Sequence, residues 1–93
     1  MIKTKDIPAV LIRWKDARGC SANWEPYETG QEMELCEIWS FGFLIHECEE
    51  RLVIAPHMEI KGDTDVSGTM SIPAVNVIEK RILDLTPAHM EEP

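Results

Sequence analysis

Leu35-Cys36-Glu37-Ile38-Trp39-Ser40-Phe41-Gly42-Phe43-Leu44-Ile45-His46 is the stretch on which the fold turns. It is dense in aromatic and β-branched residues, which favour a pleated, half-buried surface. Read with period two, Trp39, Phe41, Phe43 and Ile45 share one side, and Ile38, Ser40, Gly42 and Leu44 share the other. Both sides carry apolar groups, so both are expected to be at least partly covered. Gly42 in the middle would let so long a strand bend sharply.

Working outward, residues 47–51 are polar and form a hairpin turn, and Leu52-Val53-Ile54-Ala55 returns as a strand stopped by Pro56. Residues 61–65 form a second turn. Val66, Gly68, Met70 and Ile72 then alternate with Ser67, Thr69 and Ser71 as a fourth strand with one buried face, ended by Pro73. Pro73-Ala74-Val75-Asn76 suits one tight 3₁₀ turn. Residues 77–83 make a fifth strand with Ile78 and Ile82 inward. Upstream, Val10, Ile12 and Trp14 alternate with Leu11, Arg13 and Lys15 as the first strand. Between the first two strands, residues 16–34 hold Gly19, Asn23, Pro26 and Gly30. That is a long connection with room for one short helical turn after Asn23, stopped at Gly30. The expected fold is all-β: a five-stranded small barrel of SH3 or Sm type over residues 1–83, followed by a loose tail from Asp84 to the end.

Composition narrows the function. The 93 residues carry 9 basic and 17 acidic side chains, a net charge of −8. Eight of the acids lie in residues 19–50 (Glu25, Glu28, Glu32, Glu34, Glu37, Glu47, Glu49, Glu50), where no Lys or Arg occurs. This third of the chain is unsuited to gripping a phosphate backbone, so RNA is disfavoured and a basic protein partner or a cation is favoured there. No apolar run is long enough to span a membrane and no secretory leader pattern is present, so a cytoplasmic location is expected. Cys20, Cys36 and Cys48 are an odd number and read as reduced thiols.

The pattern over residues 39–83, about half the chain, resembles the Sm-like family. Gly42-Phe43-Leu44 through Leu52-Val53-Ile54 is similar to its first signature, and Ile72-Pro73-Ala74-Val75-Asn76-Val77 is similar to its second. The resemblance implies a ring of subunits joined through their fourth and fifth strands, with RNA at the pore. Two departures bear on that function. Arg51 or Leu52 stands where the family has a base-binding Asn, and Pro73-Ala74 replaces its Arg-Gly. The long first loop is closer to that of SH3 domains. The chain also resembles short uncharacterised bacteriophage proteins, which implies a bacterial host cell as its setting.

Candidate chemistry is sparse. His46 and Cys48, with Cys36 or His57, could approach a metal, but their spacing matches none of the common zinc patterns. Asp63 and Asp65 with Glu59 lack the further ligands of a calcium loop and read as a solvated turn. Cys20 has no evident base, His57 and His89 read as surface residues, and no phosphate loop or nucleophile elbow occurs. The expectation is a non-enzymatic protein without a cofactor. Of the six aromatic residues, Trp14 and one face of the second strand would fill the core, leaving Trp24 and Tyr27 as candidates for partner contact, with Arg51 and Arg13 as ligand groups. Open strand edges favour a homo-oligomer whose interface would use Trp39, Phe41, Met70, Ile72 and Ile78. The other reading is a small nucleotide or similar metabolite bound between subunits.

Overall fold

The computed structural model describes residues 7–19 and 22–84. Cys20, Ser21, His89 and the expected tail beyond Asp84 lie outside the described residues. In chain order the elements are strand β1 (Ala9–Asp16), a single helical turn α1 (Tyr27–Gln31), strands β2 (Cys36–Glu47), β3 (Arg51–Ala55), β4 (His57–Met58), β5 (Val66–Ser67) and β6 (Met70–Pro73), a 3₁₀ turn (Ala74–Asn76), and β7 (Val77–Leu83). Five of the strands form one antiparallel sheet in the order β6-β3-β2-β1-β7, and β4 pairs with β5. The protein is thus all-β, with one helical and one 3₁₀ turn among the described residues.

β3–β4 and β5–β6 are the two arms of a single hairpin. Ile54 pairs with Met70 and His57 with Ser67, so the register is unbroken across a gap in the pairing. The gap falls where Pro56, which has no N–H to donate, faces Gly68. Gly68 has φ +76°, and a Cβ there would lie 3.0 Å from the Pro56 ring. The fourth strand expected over residues 66–72 is therefore split at Gly68. Only Ile72 of its expected inward set is buried, while Val66 and Met70 are exposed.

Among the described residues no helix covers the sheet, which makes a core by curling on itself. Val10, Ile12 and Trp14 of β1 meet Leu52 and Ile54 of β3 and Ile72 of β6, with Ile38, Leu44, Ala74 and Val77 packed around them. Burying an aliphatic side chain of this kind contributes about 1.5–3 kcal/mol. Trp14 keeps its one polar atom satisfied by donating from Nε1 to Ser40 Oγ at 3.0 Å. Two further contacts report the curl. Lys80 on the edge strand β7 reaches past β1 to Glu47 at the end of β2, 2.8 Å away. At Gly42, a Cβ would lie 2.9 Å from the Ala55 carbonyl oxygen. Gly42 is needed because backbone passes where a side chain would stand.

The curl also decides which face of β2 is inside. The inner side is the one with the smaller set, Ile38, Ser40, Gly42 and Leu44; Trp39 and Phe41 point outward and are more than half exposed. Of the six aromatic residues only Trp14 is buried, so the expectation that a β2 aromatic face fills the core is corrected. The concave side of so tight a sheet lacks the volume for a column of rings.

Two bulges move residues from their expected sides. The β2–β3 register slips between Leu44 and His46, leaving Ile45 as the extra residue and placing Glu47 opposite Leu52 on the inner side. The β1–β7 register slips between Arg13 and Trp14, so Val77 takes the inner place opposite Trp14 and Ile78 is the extra residue. Ile82 stands opposite Val10 on the inner side, as expected, but is exposed there, and Ile78 is exposed as well. Helix α1 begins after Pro26 rather than Asn23 and runs through Gly30 to Gln31. β6 and β7 do not pair with each other, so the sheet is open. The 3₁₀ turn links these two edges, and Ala74 N–H donates to the Glu50 carbonyl at 2.9 Å.

Candidate functional site

The outer face of the sheet is a grid fixed by register. Arg13 on β1 stands opposite Trp39 on β2 and Glu79 on β7; in the next row Leu11 stands between Phe41 and Arg81; in the third, Ala9 stands between Phe43 and Leu83. Lys15 and Glu37 close the grid where β1 and β2 end. The large neighbours of Leu11 bury it although it faces out.

Arg13 is the hub. Its guanidinium donates to Glu37 Oε2 at 3.1 Å and to Glu79 Oε1 at 3.2 Å, and its charge lies 5.5 Å from the Trp39 ring centre. Trp39 Nε1 donates to the same Glu37 oxygen at 2.8 Å, and Arg81 donates to Glu79 Oε2 at 3.0 Å. These bonds hold the Glu37 carboxyl below its ordinary range, first through the Trp39 indole and then through Arg13. They lower Glu79 as well, first through Arg81 and then Arg13. Arg13 is raised, first by Glu79 and then by Glu37. Each charged group answers another, so the cluster is a structural brace under an aromatic column rather than an acid–base pair poised for proton transfer.

The other candidates sit apart from this face. Trp24 and Tyr27 belong to the connection over residues 17–35, in which no described residue is buried. Trp24 is fully exposed, and α1 has no buried residue. Arg51 opens β3 beside the turn, where its Nη1 donates to Cys48 Sγ at 3.7 Å. That same turn is closed by Cys48 N–H donating to the Arg51 carbonyl at 3.0 Å. Cys36 and Cys48 are free thiols. His46 falls on the outer side opposite Val53, and among the described residues no three His, Cys, Asp or Glu side chains gather as a metal site. Among them, too, no helix is long and apolar enough to cross a membrane.

Of the expected interface residues, Trp39 and Phe41 present side chains on the outer face, and Met70 and Ile78 are exposed on the edge strands. Ile72 is fully buried in the chain's own core and offers a partner no surface. A cleft of about 470 Å³ lies at the hairpin corner, lined by Phe43, Pro56, Met58, Glu59, Asp65 and their neighbours.

Sequence reasoning did not find Glu37, Glu79, Arg81 or the Glu47–Lys80 pair. A signal existed for the first three, since Glu37 precedes Trp39 by two residues and Glu79 precedes Arg81 by two, the spacing of one strand face. No local signal places β7 beside β1. No family model, curated protein or solved structure matches the chain. The fold and the face together define an all-β protein built on an open five-stranded antiparallel sheet with a braced aromatic surface.

Proposed function

We propose that this chain is a non-enzymatic small-barrel protein, Sm-like or SH3-like, that assembles with copies of itself and serves as a binding or scaffolding module. The observation that carries the reading is the pair of open edges: among the described residues β6 is bonded only to β3, and β7 only to β1. An unpaired edge is a template for another strand, and a head-to-tail contact between β6 of one copy and β7 of the next would satisfy both edges in a closed ring. The small-barrel part is supported by the position of β1 between β2 and β7 and by the single 3₁₀ turn joining the two edge strands. Exposed Met70, Val75, Ile78 and Ile82 on or beside those edges add apolar surface to the same contact. The likeness to short bacteriophage proteins makes a phage source part of the same proposal. Native mass spectrometry at micromolar concentration tests it, and a monomer as the sole species would sink it.

A second reading, a small nucleotide held between subunits, is favoured by Arg51. Among the described residues its guanidinium bonds the Cys48 sulfur and is in no ion pair, whereas Arg13 is already taken up by Glu37 and Glu79. Saturable thermal stabilisation by a nucleotide, lost in Arg51→Gln, is the expected result. No shift with any nucleoside mono-, di- or triphosphate would remove the reading.

A further inference from the structure

Two surfaces of this chain are apolar, open and opposite in charge. The first is the connection over residues 22–35, which exposes Trp24, Tyr27, Met33 and Leu35 and carries Glu25, Glu28, Glu32 and Glu34 with no basic residue. Its only regular structure, α1, is five residues long and buries none of them. A single turn is far below the length at which a helix holds itself together in water, so it needs a surface to pack on. The second is the outer face of the sheet. There Trp39 and Phe41 lie exposed among Lys15, Arg13 and Arg81, against which stand only Glu37 and Glu79. This face has a basic excess in a chain whose net charge is −8.

We propose that residues 22–35 of one copy dock on the outer sheet face of a second copy. Trp24 and Tyr27 lie against the Trp39–Phe41 column, and the arm's carboxylates face Arg81 and Lys15. The inference deepens the self-assembly reading and rests on it. Charge complementarity and the matching apolar surfaces argue for a copy of this chain as the occupant. An acidic arm repels the acidic remainder of its neighbour and is attracted to this face. The chain's own arm leaves the sheet at the Asp16–Cys36 pair, beside the Lys15–Glu37 row, and leaves its Trp24, Tyr27, Met33 and Leu35 side chains exposed. The contact between arm and face is heterologous, so it closes either as a reciprocal exchange between two copies or as a ring. It leaves the β6 and β7 edges free for the strand pairing proposed for assembly.

The test is complementation by mixing. An arm variant, W24S/Y27S, keeps the face; a face variant, W39S/F41S, keeps the arm; circular dichroism checks that each is folded, and Arg81→Glu replaces the face variant if it is not. Expected by native mass spectrometry and light scattering is an assembled parent chain. Each variant alone associates at least about tenfold more weakly, as buried Trp and Tyr anchors imply. An equimolar mixture then forms a mixed species at concentrations where each variant alone is monomeric. Variants that assemble as well as the parent chain would overturn the arm contact while leaving edge pairing standing. Monomeric variants that stay apart on mixing would also overturn it, and a monomeric parent chain would overturn both.

Discussion

The two faces of β2 invert the usual expectation about which residues a protein hides. Its inner face holds Ile38, Ser40, Gly42 and Leu44, and its outer face holds Trp39, Phe41 and Phe43. By hydrophobicity alone the aromatic column belongs inside. The core is the concave side of one curled sheet, however, and its space is filled by Val10, Ile12 and Trp14 from the neighbouring strand, with Ala55 backbone pressed against Gly42. Volume, not apolarity, decides the side. The displaced aromatics are held by a lattice of charge instead: Trp39 spans Glu37 and Arg13, and Arg13 spans Glu37 and Glu79.

Breaking the inner face costs most. Ile12→Ala removes a fully buried side chain from the centre of the cluster and is expected to lower unfolding stability by about 2–5 kcal/mol, read from the urea midpoint. Gly42→Ala comes next. The new methyl lies 2.9 Å from a backbone oxygen that cannot swing away, so β2 or β3 must shift, at a cost of about 1–3 kcal/mol. If Gly42→Ala left the midpoint unchanged, the close approach that sets the curl would be wrong. On the outer face the same class of measurement is expected to register little. Phe41→Ser, measured in dilute solution where copies are apart, changes stability by no more than about 0.5 kcal/mol, since an exposed ring loses few contacts. A loss as large as that of Ile12→Ala would erase the distinction between the faces.

The smallest effect is in the charge lattice, and pH reveals it. Glu37 and Glu79 are held below the ordinary 4.5 in the folded chain, so unfolding raises their affinity for protons. Their contribution is present above pH 4.5 and is lost as pH falls through their lower folded-state values. E37Q/E79Q removes both carboxylates. The stability gap between it and the parent chain is therefore expected to be present at pH 7, narrower at pH 3, and narrower at high salt because these groups are exposed. Urea midpoints at the two pH values measure it, and a gap that widens on acidification would contradict the assigned directions.

Much of this architecture was legible residue by residue. Alternation over residues 10–15, the run over residues 35–46 and the stops at Pro56 and Pro73 place β1, β2, β3, the 3₁₀ turn and β7 close to where they stand. The split of the fourth strand was less legible. Gly68 alternates in phase with Met70 and Ile72, and only the Pro56 ring across the hairpin explains why pairing stops there. The candidate site divides in the same way. Trp24 and Tyr27 stand out as aromatics in a polar connection, while Arg13 was singled out without the Glu37–Glu79 clasp that occupies it.

By itself the sequence determined the strands, the long acidic connection and the places where chain direction must change, because these depend on side-chain period and on proline and glycine at known positions. Tertiary structure alone decided which side of each strand faces in. A single extra residue at Ile45 or Ile78 reverses the side of every residue after it, and only pairing with another strand reveals the extra residue. The outward turn of the β2 aromatics has the same origin, since the volume enclosed by a curled sheet belongs to all its strands and is written in none of them singly.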